Sequence, residues 1–308
     1  MANIGGMTMR AMMISMALGF TIGAAASTSA LAQQQDFSKV AITTTKLSDT
    51  LYMLEGEGGN IGVSAGTDGV YLIDDQYAPL SEKIMAAVKA ISDKPINYVV
   101  NTHWHVDHTG GNENFGKAGA AIIAHDNVRA RMEKGGELKA FKMAIPPAPP
   151  AALPVITFAD RVTLYQNGEA ARVTHVNPAH TDGDAIIHWP ASNVIHTGDT
   201  FVNGFFPFID TSSGGTLSGL IKSAETVLAL ADDKTKIIPG HGPLATKADL
   251  QKYHAMLLTV QERVTAAKAA GKTAEQWAAS NPFADLDADW GKSSIKTPMF
   301  TKMVFDAN

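Results

Sequence analysis

Residues 96–115, Ile-Asn-Tyr-Val-Val-Asn-Thr-His-Trp-His-Val-Asp-His-Thr-Gly-Gly-Asn-Glu-Asn-Phe, constrain this chain more than any other stretch. The apolar, β-branched run 96–100 predicts a buried strand. It ends directly in His103, His105, Asp107 and His108, followed by Gly110 and Gly111. Four ligand-type side chains within six residues are costly to bury unless they are paired or hold a metal ion. In an extended chain His103 and His105 project to one side, and a turn at the glycines brings Asp107 and His108 to a neighbouring point. That layout suits two adjacent ions better than one. A lone His-x-His would be read as structural; imidazole and carboxylate packed this densely at a strand end are not.

Three later segments repeat the same grammar, a β-rich run ending in a ligand-type residue beside glycine. His180 lies in Asn177-Pro178-Ala179-His180-Thr181-Asp182-Gly183-Asp184, Asp199 in His196-Thr197-Gly198-Asp199-Thr200, and His241 in Ile237-Ile238-Pro239-Gly240-His241-Gly242-Pro243. Loops at strand ends are where a rigid scaffold places functional groups, and glycine lets backbone pass close to an ion. His125, His175, His188, His196 and His254 lack such surroundings and are read as structural or exposed; Asp182 and Asp184 are read as loop or supporting hydrogen-bond groups.

The rest of the chain alternates strands and helices. Short apolar runs broken by glycine between 40 and 73 predict strands joined by tight turns. The spacing of Ile84, Val88 and Ile91 predicts an amphipathic helix over 81–92 with Ser81 as its cap. A strand over 120–124 and a helix over 127–134 follow, then the proline-rich segment 146–150. This segment reads as a stiff surface connection between two halves of one domain, because both sides carry pieces of the same constellation. Strands are expected over 155–158, 161–165, 171–176, 185–189, 193–196 and 236–238. Helices are expected over 217–228 and 250–264, with Thr246 and Asp249 capping the second. Such an alternation predicts sheets covered by helices on their outer faces.

Taken together, Thr-His-Trp-His-Val-Asp-His-Thr-Gly-Gly-Asn, Pro-Ala-His-Thr-Asp-Gly-Asp, His-Thr-Gly-Asp-Thr and Pro-Gly-His-Gly-Pro, in this order, resemble the metallo-β-lactamase superfamily over nearly all of 51–243. The resemblance implies an αββα sandwich with a dinuclear site at one edge. It implies that His103, His105 and His180 hold one ion, that Asp107, His108 and His241 hold the second, and that Asp199 bridges them. It also implies hydrolysis of a carbonyl ester or amide by metal-activated hydroxide, with Asp107 orienting the nucleophile and receiving its proton. The glycine-rich turn 55–59 is, by the same resemblance, a mobile flap. Zn²⁺ is the natural occupant, two ions per chain, and iron or manganese suits the same donors. β-Lactamase members usually carry Cys, or no ligand, where Asp199 stands, and often Lys where Val202 stands; hydroxyacylglutathione hydrolases and lactonases carry Asp.

The expectation is therefore an exported metallo-β-lactamase-like hydrolase with weak β-lactamase activity. The alternatives are a thioesterase or lactonase of the hydroxyacylglutathione hydrolase type, and a non-catalytic metal-binding protein. A di-iron redox protein would usually have Glu in place of His105.

Composition fits a small-molecule substrate. Arg10 is the only charge before Asp36, residues 11–26 are mostly apolar, and Ala30-Leu31-Ala32 is a small-x-small site. These features predict a cleaved signal peptide over 1–32, a single domain over 33–308, a periplasmic or secreted location and no membrane attachment after cleavage. Without Arg10 there are 24 basic against 30 acidic residues, which argues against a nucleic-acid partner. With no cysteine, there are no disulfides and any metal site must be built from nitrogen and oxygen. No serine nucleophile is expected. The aromatic run at Phe201, Phe205, Phe206 and Phe208 reads equally as substrate wall and as buried packing.

Overall fold

The computed structural model describes Met1 and residues 36–308; the expected signal peptide lies outside the described residues. Strands β1 (Thr43–Lys46), β2 (Leu51–Glu55), β3 (Ile61–Gly66) and β4 (Gly69–Ile73) form an antiparallel meander. Helix α1 (Ser81–Ile91) then crosses to β5 (Ile96–Val100), which pairs parallel with β4. Short helices α2 (Val106–Thr109) and α3 (Asn112–Lys117) lead to β6 (Ala121–His125), and α4 (Asp126–Lys134) follows. A separate hairpin, β7 (Gly136–Leu138) with β8 (Met143–Ile145), precedes β9 (Ile156–Phe158), and β5, β6 and β9 complete a seven-stranded sheet. The second sheet has five strands: β10 (Arg161–Gln166), β11 (Glu169–His175), β12 (Ala185–Trp189), β13 (Val194–His196) and β14 (Lys236–Ile238). Helices α5 (Leu217–Leu230), α6 (Lys247–Ala269), α7 (Ala274–Ala279), α8 (Asp287–Trp290) and α9 (Thr297–Asp306) make up the rest.

The layering follows from side-chain alternation. Tyr71, Ile73, Val100 and Ile123 of the first sheet meet Val173, Ile187, Val194 and Ile238 of the second in one buried cluster. Their strand neighbours point the other way: Leu72, Val99 and Ile122 pack on Ile84 and Val88 of α1, and Ile186, Ile195 and Ile237 pack on α5, α6 and α9. Strands buried on both faces must read as continuous apolar runs, which is how 70–73 reads; β5 is buried in this way only at its end, 99–100. The result is the four-layer αββα sandwich expected. Trp189 Nε1 donates to Tyr71 Oη across the inter-sheet core at 2.7 Å, which satisfies the indole N–H and orients both rings.

Several local expectations change. Ser81 is the first residue of α1 rather than its cap; Leu80 precedes it at the end of a 3-10 turn, and Ser81 Oγ instead accepts from Asn114 Nδ2. Residues 37–40 are tied to α1, because Lys83 Nζ donates to the carbonyls of Phe37, Ser38 and Val40 at 2.7–2.9 Å. Thr246 and Asp249 do form a reciprocal capping box on α6. Thr246→Ala should therefore cost about 1 kcal/mol, seen as a lower urea midpoint at unchanged slope. No helix among the described residues is long and apolar enough to cross a membrane.

Candidate metal centre

The seven side chains predicted as ligands all come to one edge of the sandwich, at the ends of β5, β11, β13 and β14. Ligand atoms fall into three overlapping groups, His103/His105/His180, His103/His108/Asp199 and Asp107/His108/His241, each within 4.8 Å. His180 Nε2 stands 2.8 Å from His105 Nδ1, and His241 Nε2 stands 3.2 Å from both His108 Nε2 and Asp107 Oδ2. Asp199 lies between the groups, with Oδ1 at 3.1 Å from His108 Nε2 and Oδ2 at 3.6 Å from His180 Nε2.

Backbone proximity makes this convergence possible. A Cβ on Gly59 would run into the His108 imidazole, and one on Gly240 would run into the Asp199 carboxylate, so both neighbours must be glycine. The turn 55–59 is pinned: Gly59 N–H donates to Asp107 O at 2.9 Å, and Gln76 Nε2 donates to Gly59 O at 2.7 Å.

The far nitrogens of four of the five histidines, His103, His105, His108 and His180, are held by acceptors, and this fixes which nitrogen faces inward. His105 Nε2 meets Asp210 Oδ2 at 3.0 Å, leaving Nδ1 free. His180 Nδ1 donates to Phe208 O at 2.7 Å, leaving Nε2 free. His108 Nδ1 donates to Asp74 Oδ2 at 2.7 Å. His103 Nδ1 donates to Thr102 Oγ1 at 3.0 Å, and that hydroxyl donates onward to Asp74 Oδ2 at 2.7 Å. One buried carboxylate thus orients a histidine of each group. Asp210 is itself fixed by the amides of Ser212 and Ser213, and their hydroxyls donate to it as well.

Inside the site, His103 Nε2 is buried with no hydrogen-bond partner. Asp199 Oδ1 likewise accepts no well-directed hydrogen bond, although two imidazoles stand close to it. Orphaned acceptors this deep are expensive unless a cation satisfies them, and imidazole and carboxylate donors fit a divalent transition metal.

Protonation divides the groups. Burial holds His103 well below the ordinary imidazole range and lowers His180 to about 4, so both stand neutral and ready to bind. Burial opposes the charge on His241, yet Asp199 and Asp107 raise it to about 10; also against burial, Asp199, Asp107 and Asp74 raise His108 well above the ordinary imidazole range. Against burial, the same imidazolium charges hold the Asp107 and Asp199 carboxyls well below their usual range. A metal entering this second group must displace protons from His108 and His241, so its affinity rises with pH until those protons are already lost. Titration with Zn²⁺ at pH 6 and pH 8 should show the first ion bound at both, and the second gaining at least about tenfold in affinity at the higher pH, with protons released on its binding at both. Equal pH dependence for both ions would contradict this division.

The other predicted groups behave as supports. Asp184 accepts from the amides of His180 and Thr181 and so shapes the His180 turn, while Asp182 pairs with both ends of the Arg131 guanidinium. His196 accepts from Gly198 N–H and donates to Asn60 O, which sets the turn carrying Asp199. His125 stacks on His175 with centroids 3.8 Å apart, away from the ligands. The aromatic run divides: Phe201 is buried packing, Phe205 and Phe208 line a cavity in front of the ligand-type side chains, and Phe206, itself buried, also forms part of its wall. Asp74 and Asp210 are not singled out by the sequence; an Asp closing an apolar strand at 70–74 is the signal that points to the first. Gly62-Val63-Ser64-Ala65-Gly66 does spell Gly-x-Ser-x-Gly, but Ser64 lies in the middle of β3, fully buried, and its Oγ accepts from Asn167 Nδ2. It is not the exposed strand-to-helix turn a nucleophile needs.

An αββα sandwich with paired histidine and aspartate groups at one edge defines a class of metalloproteins. The metallo-beta-lactamase superfamily model matches residues 52–241, and the chain belongs to that superfamily. It is 30% identical over 158 residues to the hydroxyacylglutathione hydrolase of Pelagibacter ubique, covering 50% of this chain and 56% of that protein. To the hydroxyacylglutathione hydrolase of Anaeromyxobacter dehalogenans it is 27% identical over 236 residues, covering 73% and 81%. To the 2,4-dinitroanisole O-demethylase subunit alpha of a Nocardioides species it is 24% identical over 181 residues, covering 57% and 50%. The chain thus spans about half the length of two of these relatives. In fold it is similar to a metallo-beta-lactamase from Pontibacter korlensis (TM-score 0.58, 18% identity, 70% of this chain and 99% of that one). It is also similar to the sec-alkylsulfatase Pisa1 from Pseudomonas sp. (TM-score 0.63, 19% identity, 86% and 50%).

Proposed function

We propose that this protein is an exported, metal-dependent hydrolase that binds two Zn²⁺ ions and cleaves a carbonyl ester, thioester or amide bond of a small molecule. The single observation that carries the proposal is the position of Asp199 between two complete ligand groups. His103, His105 and His180 would hold one ion, Asp107, His108 and His241 the other, and Asp199 both. Two such ions supply Lewis acidity that activates water near neutral pH and offsets charge developing on the substrate oxygen. Asp107 Oδ2 lies at the wet side of the cluster, its side chain 23% exposed, where it can orient a water and take its proton. Tyr77 lines the same cavity; burial, then the carboxylates of Asp107, Glu57 and Asp199, raise its phenol, so it stays protonated and serves as a hydrogen-bond donor to substrate.

Asp199 and the absence of a lysine at Val202 favour a thioester or lactone over a β-lactam as best substrate, as do the relatives named hydroxyacylglutathione hydrolase. β-Lactam cleavage is then a slow side reaction. Export rests on the leader-like residues 1–32. The zinc-loaded protein should hydrolyse members of a thioester and lactone panel with kcat/KM above that for a chromogenic cephalosporin, and chelation should abolish all of it. Bound zinc with no turnover of any carbonyl substrate would leave a metal-binding protein only.

A further inference from the structure

The cavity in front of the ligand groups holds about 700 Å³, and three consecutive residues at the tip of the β7–β8 hairpin line it: Phe141, Lys142 and Met143. Phe141 and Met143 are 44% and 41% exposed, unusual for side chains of their size, and each faces the cavity rather than packing into a core. Phe141 meets Phe208 at 4.9 Å between ring centroids, and the carbonyl of Phe208 orients His180, so the tip abuts the ligand scaffold. Lys142 is the only Lys or Arg among the residues lining the cavity, it is exposed, and no carboxylate of the described residues lies within ion-pair distance of it. It also holds a left-handed backbone conformation (φ 51°, ψ 38°), where glycine or asparagine would be cheaper.

The hairpin is built to present these three side chains. It is anchored by Leu138, the register partner of Met143, buried against Trp104, Val128 and Met132. One end is Gly135 at φ 68°, where a Cβ would meet Pro147 N at 2.8 Å, and the other is Pro146-Pro147. An apolar cavity with metal-ligand groups at its floor and one unpaired cation at its edge selects a molecule with an apolar body, a scissile carbonyl and a single negative charge.

We propose that the Gly136–Ile145 hairpin is the substrate-reading element, and that the substrate is an acyl compound with an aryl or branched-alkyl body and one carboxylate, the carboxylate bound by Lys142. This rests on the hydrolytic function proposed above. Lys142 is a specificity-determining residue and takes no part in bond cleavage.

The test uses the zinc-loaded full protein with a matched pair of thioesters: phenylacetyl thioglycolate and the same compound with its carboxylate as a primary amide. Lys142→Met should raise KM for the carboxylate substrate about fivefold to tenfold at unchanged kcat, leave the amide unaffected, and be restored by Lys142→Arg. Phe141→Ala should raise KM for both. Calorimetry with the corresponding non-hydrolysable thioethers reads the same selectivity without turnover. If wild type binds the carboxylate thioether more tightly than the amide through Lys142 but cleaves no thioester, the carboxylate-reading role of the hairpin stands and the hydrolytic reading fails. If Lys142→Met shifts the pair equally, or not at all, in both assays, this inference is overturned, whatever the activity.

Discussion

Asp199→Ala is expected to cut hydrolysis of the best carbonyl substrate about a thousandfold, roughly 4 kcal/mol of barrier, while the fold persists. The size of the effect follows from position. Asp199 is the carboxylate of the cluster whose two oxygens face different histidines, Oδ1 toward His108 and His241, Oδ2 toward His180. Its removal leaves each histidine group one donor short and takes away the negative charge that offsets the imidazolium of His241. Metal content should fall from two ions toward one, with the remaining ion on His103, His105 and His180. Asp199→Asn keeps the shape and loses the charge, and should fall between wild type and alanine in both metal content and kcat. Circular dichroism and thermal unfolding separate this from collapse of the fold. An alanine variant with full metal content and wild-type kcat would contradict the role.

Asp74→Asn is expected to weaken binding of both ions by about tenfold to a hundredfold, although Asp74 touches neither ligand group's open face. Its carboxylate accepts from His108 Nδ1, from Thr102 Oγ1 and from Thr102 N–H, all at 2.7 Å, and Thr102 in turn holds His103. Asparagine is the informative replacement because Asp74 sits at φ 64°, a region asparagine tolerates, so the change removes charge without backbone strain. The amide can still accept from Thr102, but it no longer holds His108 in the tautomer that turns Nε2 inward. Alanine would in addition orphan a buried amide and hydroxyl, at about 1–3 kcal/mol for each group. Competitive chelator titration measures the affinities, and equal losses at both ions identify Asp74 as a shared support. Loss at one ion only would mean that Thr102 holds His103 without it.

The convergence of the seven side chains was legible because each of the four segments that carry them follows a β-rich run and contains glycine, so stretches as distant as 103–111 and 240–242 carry the same local signature. The supports were not. Asp210 acts through His105, and Asp74 through His108 and, by way of Thr102, His103; nothing local distinguishes Asp210 from any other aspartate in a serine-rich loop until the fold sets its carboxylate 3.0 Å from His105. The layers were legible from alternation within strands such as 70–73, where both faces are apolar. The C-terminal segment was not, because α7, α8 and α9 are short and their packing partner is distant in sequence: Phe300 stacks on Phe206 at 4.1 Å, fixing the run that carries Phe208. The hairpin over 136–145 shows no apolar alternation, since its tip faces a cavity and not a core.

Anomalous diffraction at the zinc edge from crystals of the zinc-loaded protein tests the central claim most directly. The account predicts two peaks per chain a few ångströms apart, one within coordinating distance of His103, His105 and His180, the other of Asp107, His108 and His241, with Asp199 reaching both. A single peak at full zinc loading, or a pair in which Asp199 touches neither ion, would contradict it.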